Sequence, residues 1–337
     1  MNKLVELAEK RIGRRKFLAG AGAAGAAATL AGCYSTGVNP GPTVVVGLTD
    51  VDYLNFALNL EYLEAEFYLR AATGQGLLPA DSSSTAGSGT NIITIPAGTV
   101  VGGAQLTGLT TAQQNILNEI AFDEQAHVRY LRNALSGGST TSLTAAVPRP
   151  NLDLTNSFNA LASAAGIGST FNPFQDWDHF LVGAFIFEDV GVTAYNGVAP
   201  LISVLGASGA ANFLAGSAAI LAVEAYHAAY IRSTIVGNTV AAGGVANYPY
   251  FTYANQVSAL RGTLGGGNET ALTLPGGTTS APTATSIVPA TTANATAFAR
   301  TTDQVLHIVY GTASGKGVAK GGFFPNGLNG NITVTQS

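Results

Sequence analysis

Residues 124–132 read EQAHVRYLR and residues 224–232 read EAYHAAYIR, so the chain writes Glu-x-x-His-x-x-Tyr-[Leu/Ile]-Arg twice. On an α-helix, residues three apart lie on one face. Each copy therefore presents a carboxylate beside an imidazole: Glu124 with His127, and Glu224 with His227. One such pair is an ordinary surface pattern. Two in the same frame ask for a partner elsewhere in the chain.

Working outward, two more glutamates sit inside otherwise apolar stretches, Glu61 in FALNLEYLEAEFY and Glu188 in FLVGAFIFEDVGVTAY. Each is followed seven residues later by a tyrosine, Tyr68 and Tyr195, two turns along the same helical face. The order is a glutamate-to-tyrosine segment, then a Glu-x-x-His segment, then the same pair again. This is a pseudo-twofold repeat of helical hairpins.

Helix signals surround all four segments. The first helix is expected from about residue 50 to 72, capped by Thr49 and Asp52 and stopped by Gly74. The second follows the capping box Thr110-x-x-Gln113 and ends near Ser136. A third is expected after Asn172-Pro173 and before Pro200, and a fourth from about residue 209 to 236, stopping at Gly237. An inserted Ser/Gly/Thr loop between the first two contains NIITIPAGTVV, whose β-branched residues predict a short strand or hairpin. The second and third helices are separated by roughly 35 residues, with a short helix expected at 158–165, and this exceeds an ordinary helix-to-helix turn.

Beyond residue 237 come YPYFTY, a Gly/Thr/Ser/Pro-rich stretch at 262–295 expected to be irregular, a short helix over 303–310 after Thr301-x-x-Gln304, and the closing GGFFPNGLNG. The implied organisation is a leader (1–33), a linker (34–46), an all-α four-helix bundle (47–237) and a C-terminal extension packing on it (238–337). A long crossover between helices two and three of four is the ferritin-like form of such a bundle.

One Glu from each of two helices, plus Glu-x-x-His from each of the other two, is a dinuclear carboxylate ligand set. The candidates are Glu61, Glu124, His127, Glu188, Glu224 and His227. The chain after residue 33 has only eight glutamates, and half of them occupy these positions. Four carboxylates in an apolar core repel one another unless cations are present. Two divalent ions cancel the charge, and oxygen donors with one imidazole per ion suit two iron ions, two manganese ions or a mixed pair. Glu124 and Glu224 are read as bridges, Glu61 and Glu188 as terminal ligands. Tyr68 and Tyr195 lie in phase to donate a hydrogen bond or an electron and are the catalytic candidates.

Other polar residues receive structural readings. Glu64, Glu66, Glu119 and Asp123 are expected to face solvent or to pair with Arg70 and Arg129. Asp189 should point away from Glu188's face, and His179 and His307 are not ligands. Tyr130 and Tyr230 either bond a ligand carboxylate or pack. Arg132 and Arg232 are expected at the bundle rim as ion-pair partners.

Composition narrows the function classes. The chain is 47% hydrophobic, enough for a sizeable core, and only 10% charged, with a net charge of -4 and no basic patch beyond the N-terminus, which speaks against nucleic acid as a partner. The single cysteine, Cys33, excludes an internal disulfide. The N-terminus runs GRRKFLAG, an Ala-rich apolar stretch and LAGC, which is how an export signal is built. Arg14 and Arg15 resemble the twin-arginine pair, with Gly13 in place of the usual Ser or Thr. Leu30 to Cys33 resembles a lipobox, which implies a periplasmic or cell-surface lipoprotein held to the membrane through a lipid on Cys33. No later stretch is expected to span a membrane without a break.

At the ligand residues the chain resembles the ferritin-like superfamily. Through DVDYLNFALNLEYLEAEFYLRAATG, RTTDQVLHIVYG and GGFFPNGLNG it is similar to the desiccation-related ferritin-like proteins. The resemblance implies a dinuclear metal site acting on peroxide or dioxygen, in envelope stress or desiccation protection. The other reading is a non-enzymatic stress protein whose metals are structural. An oligomer fits either reading, but the lipid, first loop and C-terminal extension would obstruct a closed cage.

Overall fold

Thr49 opens the first helix, α1 (Asp50–Thr73), by a reciprocal cap: its N–H donates to Asp52 Oδ2 at 2.7 Å, and Gly74 closes the helix in the left-handed region at φ 76°. The computed structural model describes residues 47–139, 143–202, 213–278, 281–283, 287–291, 294–313 and 315–337. The leader with Arg14, Arg15 and Cys33, and most of the linker, lie outside the described residues.

After α1 come a short turn of helix, α2 (Pro79–Ser82), and a hairpin in which β1 (Ser84–Ala86) pairs antiparallel with β2 (Ile93–Ile95). The next strand, β3 (Val100–Val101), pairs parallel with β4 (Leu152–Asp153), which follows the second long helix, α3 (Thr111–Leu135). The inserted loop is thus tied to the segment between α3 and the next long helix. That segment also holds α4 (Asn156–Ala164). The third and fourth long helices are α5 (Trp177–Val198) and α6 (Phe213–Ala241). α1 packs most extensively on α3, and α5 on α6.

Three boundaries differ from expectation. α5 starts at Trp177, not at Pro173, because Asp176 is the cap, accepting from the His179 N–H at 2.9 Å. α6 runs through Gly237 to Ala241, since Val236 and Thr239 are buried on its inner face and outweigh the local cost of glycine. The extension contains a full helix, α7 (Tyr250–Leu264), over a stretch where the sequence predicts no helix, and it runs into the start of the segment expected to be irregular; Phe251, Ala254, Val257, Ser258 and Arg261 form its buried stripe. Then come a small hairpin of β5 (Gly276–Thr278) and β6 (Ala281–Thr283), and α8 (Thr302–Tyr310), which has the expected Thr301–Gln304 capping box.

Nearly all of α1 and α5 is buried, whereas α3 and α6 keep an exposed face. A helix that is apolar all round needs cover on every side. The segment before α4 and the C-terminal chain supply it. Asn55 Nδ2 donates to the Ala145 carbonyl at 2.8 Å, Asn59 Nδ2 to the Asn329 carbonyl at 2.8 Å, and Asn331 Nδ2 to Asp52 Oδ1 at 2.6 Å. These bonds tie the buried polar side chains Asp52, Asn55 and Asn59 of α1 to both covering segments. Phe67 stacks on Phe180 at 5.4 Å, and Phe323 meets Phe187 at 5.0 Å, joining α1, α5 and the C-terminal segment.

α6 is long and apolar enough to cross a membrane by length and composition, with a mean hydropathy of 1.3, contrary to the expectation of no such stretch. It nevertheless buries Glu224, His227 and Arg232 against the bundle.

Candidate metal centre

Four helices bring the six candidate residues to one buried place. Glu61 is on α1, Glu124 and His127 on α3, Glu188 on α5, and Glu224 and His227 on α6; each is at most 7% exposed. His127 Nδ1 lies 3.3 Å from Glu61 Oε2, 3.3 Å from Glu124 Oε2 and 3.5 Å from Glu224 Oε1. His227 Nδ1 lies 3.1 Å from Glu124 Oε1 and 3.5 Å from Glu188 Oε2. Two candidate ligand clusters result, one of Glu61, Glu124, His127 and Glu224 and the other of Glu124, Glu188 and His227, each with its ligand atoms within 4.8 Å of one another. Glu124 belongs to both. The imidazole centroids stand 6.4 Å apart.

The tyrosines cross between hairpins. Tyr68 on α1 donates its hydroxyl to Glu188 Oε1 on α5, and Tyr195 on α5 donates to Glu61 Oε1 on α1. The residues that follow the two glutamates repeat this symmetry. Tyr62, next to Glu61, accepts from Arg132 Nη1 at 2.6 Å; Asp189, next to Glu188, accepts from Arg232 Nη1 at 2.7 Å. Both arginines are buried rather than on the rim, and each locks the back of a glutamate-bearing helix to its Glu-x-x-His neighbour.

The ferritin-like domain model matches residues 49–237, more than half of the chain. The chain belongs to the ferritin-like domain family. This ferritin-like chain is 28% identical over 289 residues to the ferritin-like catalase Nec2 of Nesocodon mauritianus, spanning 84% of each protein. It is also 28% identical over 221 residues to the desiccation-related protein PCC13-62 of Craterostigma plantagineum, spanning 64% of this chain and 63% of that one. No solved structure matches it.

The electrostatics of the ferritin-like centre fit cations. Burial raises the Glu61 carboxyl to about 7 although His127 pulls it down, and burial holds Glu188 above, and Glu224 far above, the usual carboxylate range. Burial acts the same way on Glu124, yet His127 and His227 overcome it and hold that carboxyl below the usual range. Both imidazoles are held well above their ordinary value: burial is the largest single influence and lowers them, but the carboxylates together outweigh it, chiefly Glu61 and Glu124 at His127 and Glu188, Asp123 and Glu124 at His227. Burial, and next the paired glutamate, pushes both tyrosine hydroxyls well above their usual range, so each remains a donor.

Glu61 Oε2, Glu124 Oε1, Glu188 Oε2, both Glu224 oxygens and His227 Nδ1 are buried without a hydrogen-bond partner. Native proteins seldom leave so many orphans together. All six residues point such atoms, or the His127 Nδ1, at a common centre, and the donor set fits a pair of metal ions whose identity the donors leave open.

Two neighbours escape a motif-based reading. Asp123 Oδ2 sits 3.2 Å from His227 Nε2, so the outer nitrogen can donate to it while Nδ1 faces the cluster. Glu64, expected to face solvent or pair with an arginine, is 5% exposed, and burial together with Glu224, Glu124, Glu61 and Glu188 drives its carboxyl far above the usual range. The signal was present in its spacing: Glu64 follows Glu61 by three residues, as each histidine follows its glutamate.

The remaining assignments divide. Glu119 is exposed, Glu66 pairs with Arg70 at 2.8 Å and also with Arg149, and Arg129 pairs with Asp81 at 2.8 Å rather than with a glutamate. His179 pairs with Asp176 at 2.9 Å, and His307 Nδ1 meets the Thr312 carbonyl at 2.9 Å; neither joins the cluster. Tyr130 packs against Gly216 on α6 and Tyr230 against the core.

Proposed function

We propose that this is an exported ferritin-like protein that holds two iron or two manganese ions, or a mixed pair, and consumes hydrogen peroxide or dioxygen. Its role would lie in envelope stress or desiccation. The observation that carries this reading is the pair of buried Glu/His clusters sharing Glu124, with their unpartnered oxygens turned inward. The similarity to a ferritin-like catalase supports peroxide as the substrate. Glu61, Glu188, Glu224 and the two histidines would hold the ions with Glu124 between them. Such ions, when bound, would supply the redox equivalents for peroxide or oxygen chemistry.

The chain's own part is to orient and to exclude water. Tyr68 and Tyr195 are proposed positioning residues, each fixing the free rotation of a ligand carboxylate from the opposite hairpin. Asp123 would fix the His227 tautomer. Export through the twin-arginine route and a lipid on Cys33 complete the proposal, supported by GRRKFLAG and LAGC. Mass analysis of the N-terminal peptide from host membranes should show diacylated Cys33 as the first residue; an unmodified cysteine there would remove the lipid from the account.

The functional test is oxygen release from hydrogen peroxide by protein loaded with iron or manganese. Turnover that is lost in Glu124→Ala is the expected result. A fully loaded protein without turnover of peroxide, dioxygen or ferrous iron would leave the metals as a structural element of a stress protein, the reading the desiccation-related relative favours.

A further inference from the structure

Behind the metal centre, on the side covered by the C-terminal extension, lies a small cavity of about 20 Å3 bounded by α1, α5, α8 and Phe323. That volume suits a solute little larger than one water. Its walls are apolar, including Leu60, Leu63, Phe187 and Val190, with one exception. Glu64 lines it, 5% exposed, and no hydrogen bond or ion pair to another described residue satisfies its carboxyl. Gly191 lines it too. A side chain there would stand 2.1 Å from Glu224 Oε2 and 3.5 Å from Glu64 Oε1, so the missing Cβ lets the Glu224 and Glu64 carboxyls pack against the same point of α5, where cavity and centre adjoin.

Three of the walls, Ile308, Val309 and Phe323, also line a second cavity of about 270 Å3 on their outer side. This one lies among α4, α7, α8 and the loop before Phe323, and its wall includes Ala160, an exposed residue. Ile308, Val309 and Phe323 thus separate the outer cavity from the inner one, and Glu64 and Gly191 stand between the inner one and Glu224.

We propose that the two cavities are the access route for a small uncharged oxidant of the hydrogen peroxide class, and that Glu64 is the residue that binds and orients it beside the centre. The apolar walls penalise ions, which would lose their hydration there, and admit a neutral solute. The lone carboxyl supplies the hydrogen bonds that such a solute needs and that an apolar gas the size of dioxygen does not. The C-terminal extension is then the builder of the route, not merely a cover for α1 and α5. This proposal rests on the peroxide reading above.

The test compares wild type with Val309→Trp, which plugs the boundary between the cavities, and Ala160→Trp, which narrows the exposed mouth without touching the core. Metal content, noble-gas binding in pressurised crystals and the second-order rate with hydrogen peroxide are measured on the same loaded proteins. The expected result is two metals in all three, a gas peak between Glu64 and Val190 that Val309→Trp abolishes, and a rate lowered about tenfold or more in both variants. Glu64→Gln should raise the KM for peroxide more than it lowers kcat, with metal content retained. Unchanged rates with the gas peak lost, or no gas peak in wild type, would overturn the route. A loaded wild type with the gas peak but without turnover would overturn the peroxide reading and, with it, the identity of the solute.

Discussion

Tyr68 and Tyr195 show how much one hydroxyl does in a buried charged place. Each donates across the pseudo-twofold to a glutamate of the other hairpin. Removing such a support typically weakens metal binding about 10–100-fold. Tyr68→Phe should therefore lower the affinity for one of the two ions by that factor while the other is little changed, as metal titration would show; equal affinity at both sites would exclude the positioning role. The partners of these tyrosines were not legible in sequence, since phase along a helix gives a face and not the neighbour across it. Glu61, Glu124, Glu188 and Glu224 were legible because carboxylates in apolar runs are costly and stand out. Glu64 stands in the same run with the same spacing, but in sequence a carboxylate two residues from Glu66 and six from Arg70 has an ordinary surface explanation.

At the scale of elements, buried charge joins the bundle to its extension. Arg232 and Arg261 both donate to Asp189 Oδ2 at 2.7 Å, Arg261 Nη2 reaches Glu269 Oε2 at 2.8 Å, and Arg300 Nη2 donates to the other oxygen of Glu269, Oε1. The network links α5, α6, α7 and the chain before α8. Removing one partner of a buried pair costs about 3–5 kcal/mol, because the other charge stays behind. Asp189→Ala, which removes the carboxylate that Arg232 and Arg261 share and leaves Arg261 with Glu269 alone as a counter-charge, should lower the unfolding free energy by about 3 kcal/mol in denaturant titration while metal stoichiometry in the folded protein is kept; a loss below about 1 kcal/mol would contradict the network's role. Capping boxes at Thr49, Thr110 and Thr301 made three helix starts legible. α7 was not, since its buried stripe includes Ser258 and Arg261, polar residues whose burial depends on Glu269 and Asp189 from elsewhere.

For the whole molecule, the centre makes stability depend on pH and metal together. In metal-free protein Glu61 titrates near 7 against an ordinary 4.5, and Glu64, Glu188 and Glu224 shift in the same direction. A raised carboxyl pKa gives stability that is full below the unfolded value and lost as pH rises through the folded one. The raised histidines add the same slope above their ordinary 6.5, while Glu124, shifted down, acts only at lower pH. The Tm of metal-free protein should fall by about 5 °C or more from pH 5 to pH 8. Loaded protein should not fall, because ions bind the deprotonated site and replace those protons. A parallel decline in both forms, seen by calorimetry, would detach the slope from the centre.

The central claim is that four helices converge to hold two ions around Glu124, and counting the ions tests it most directly. Elemental analysis of protein purified from its own host should find two metals per chain in wild type and at most one in Glu124→Ala. Two ions retained in Glu124→Ala, or none in wild type after loading with iron and manganese, would contradict it.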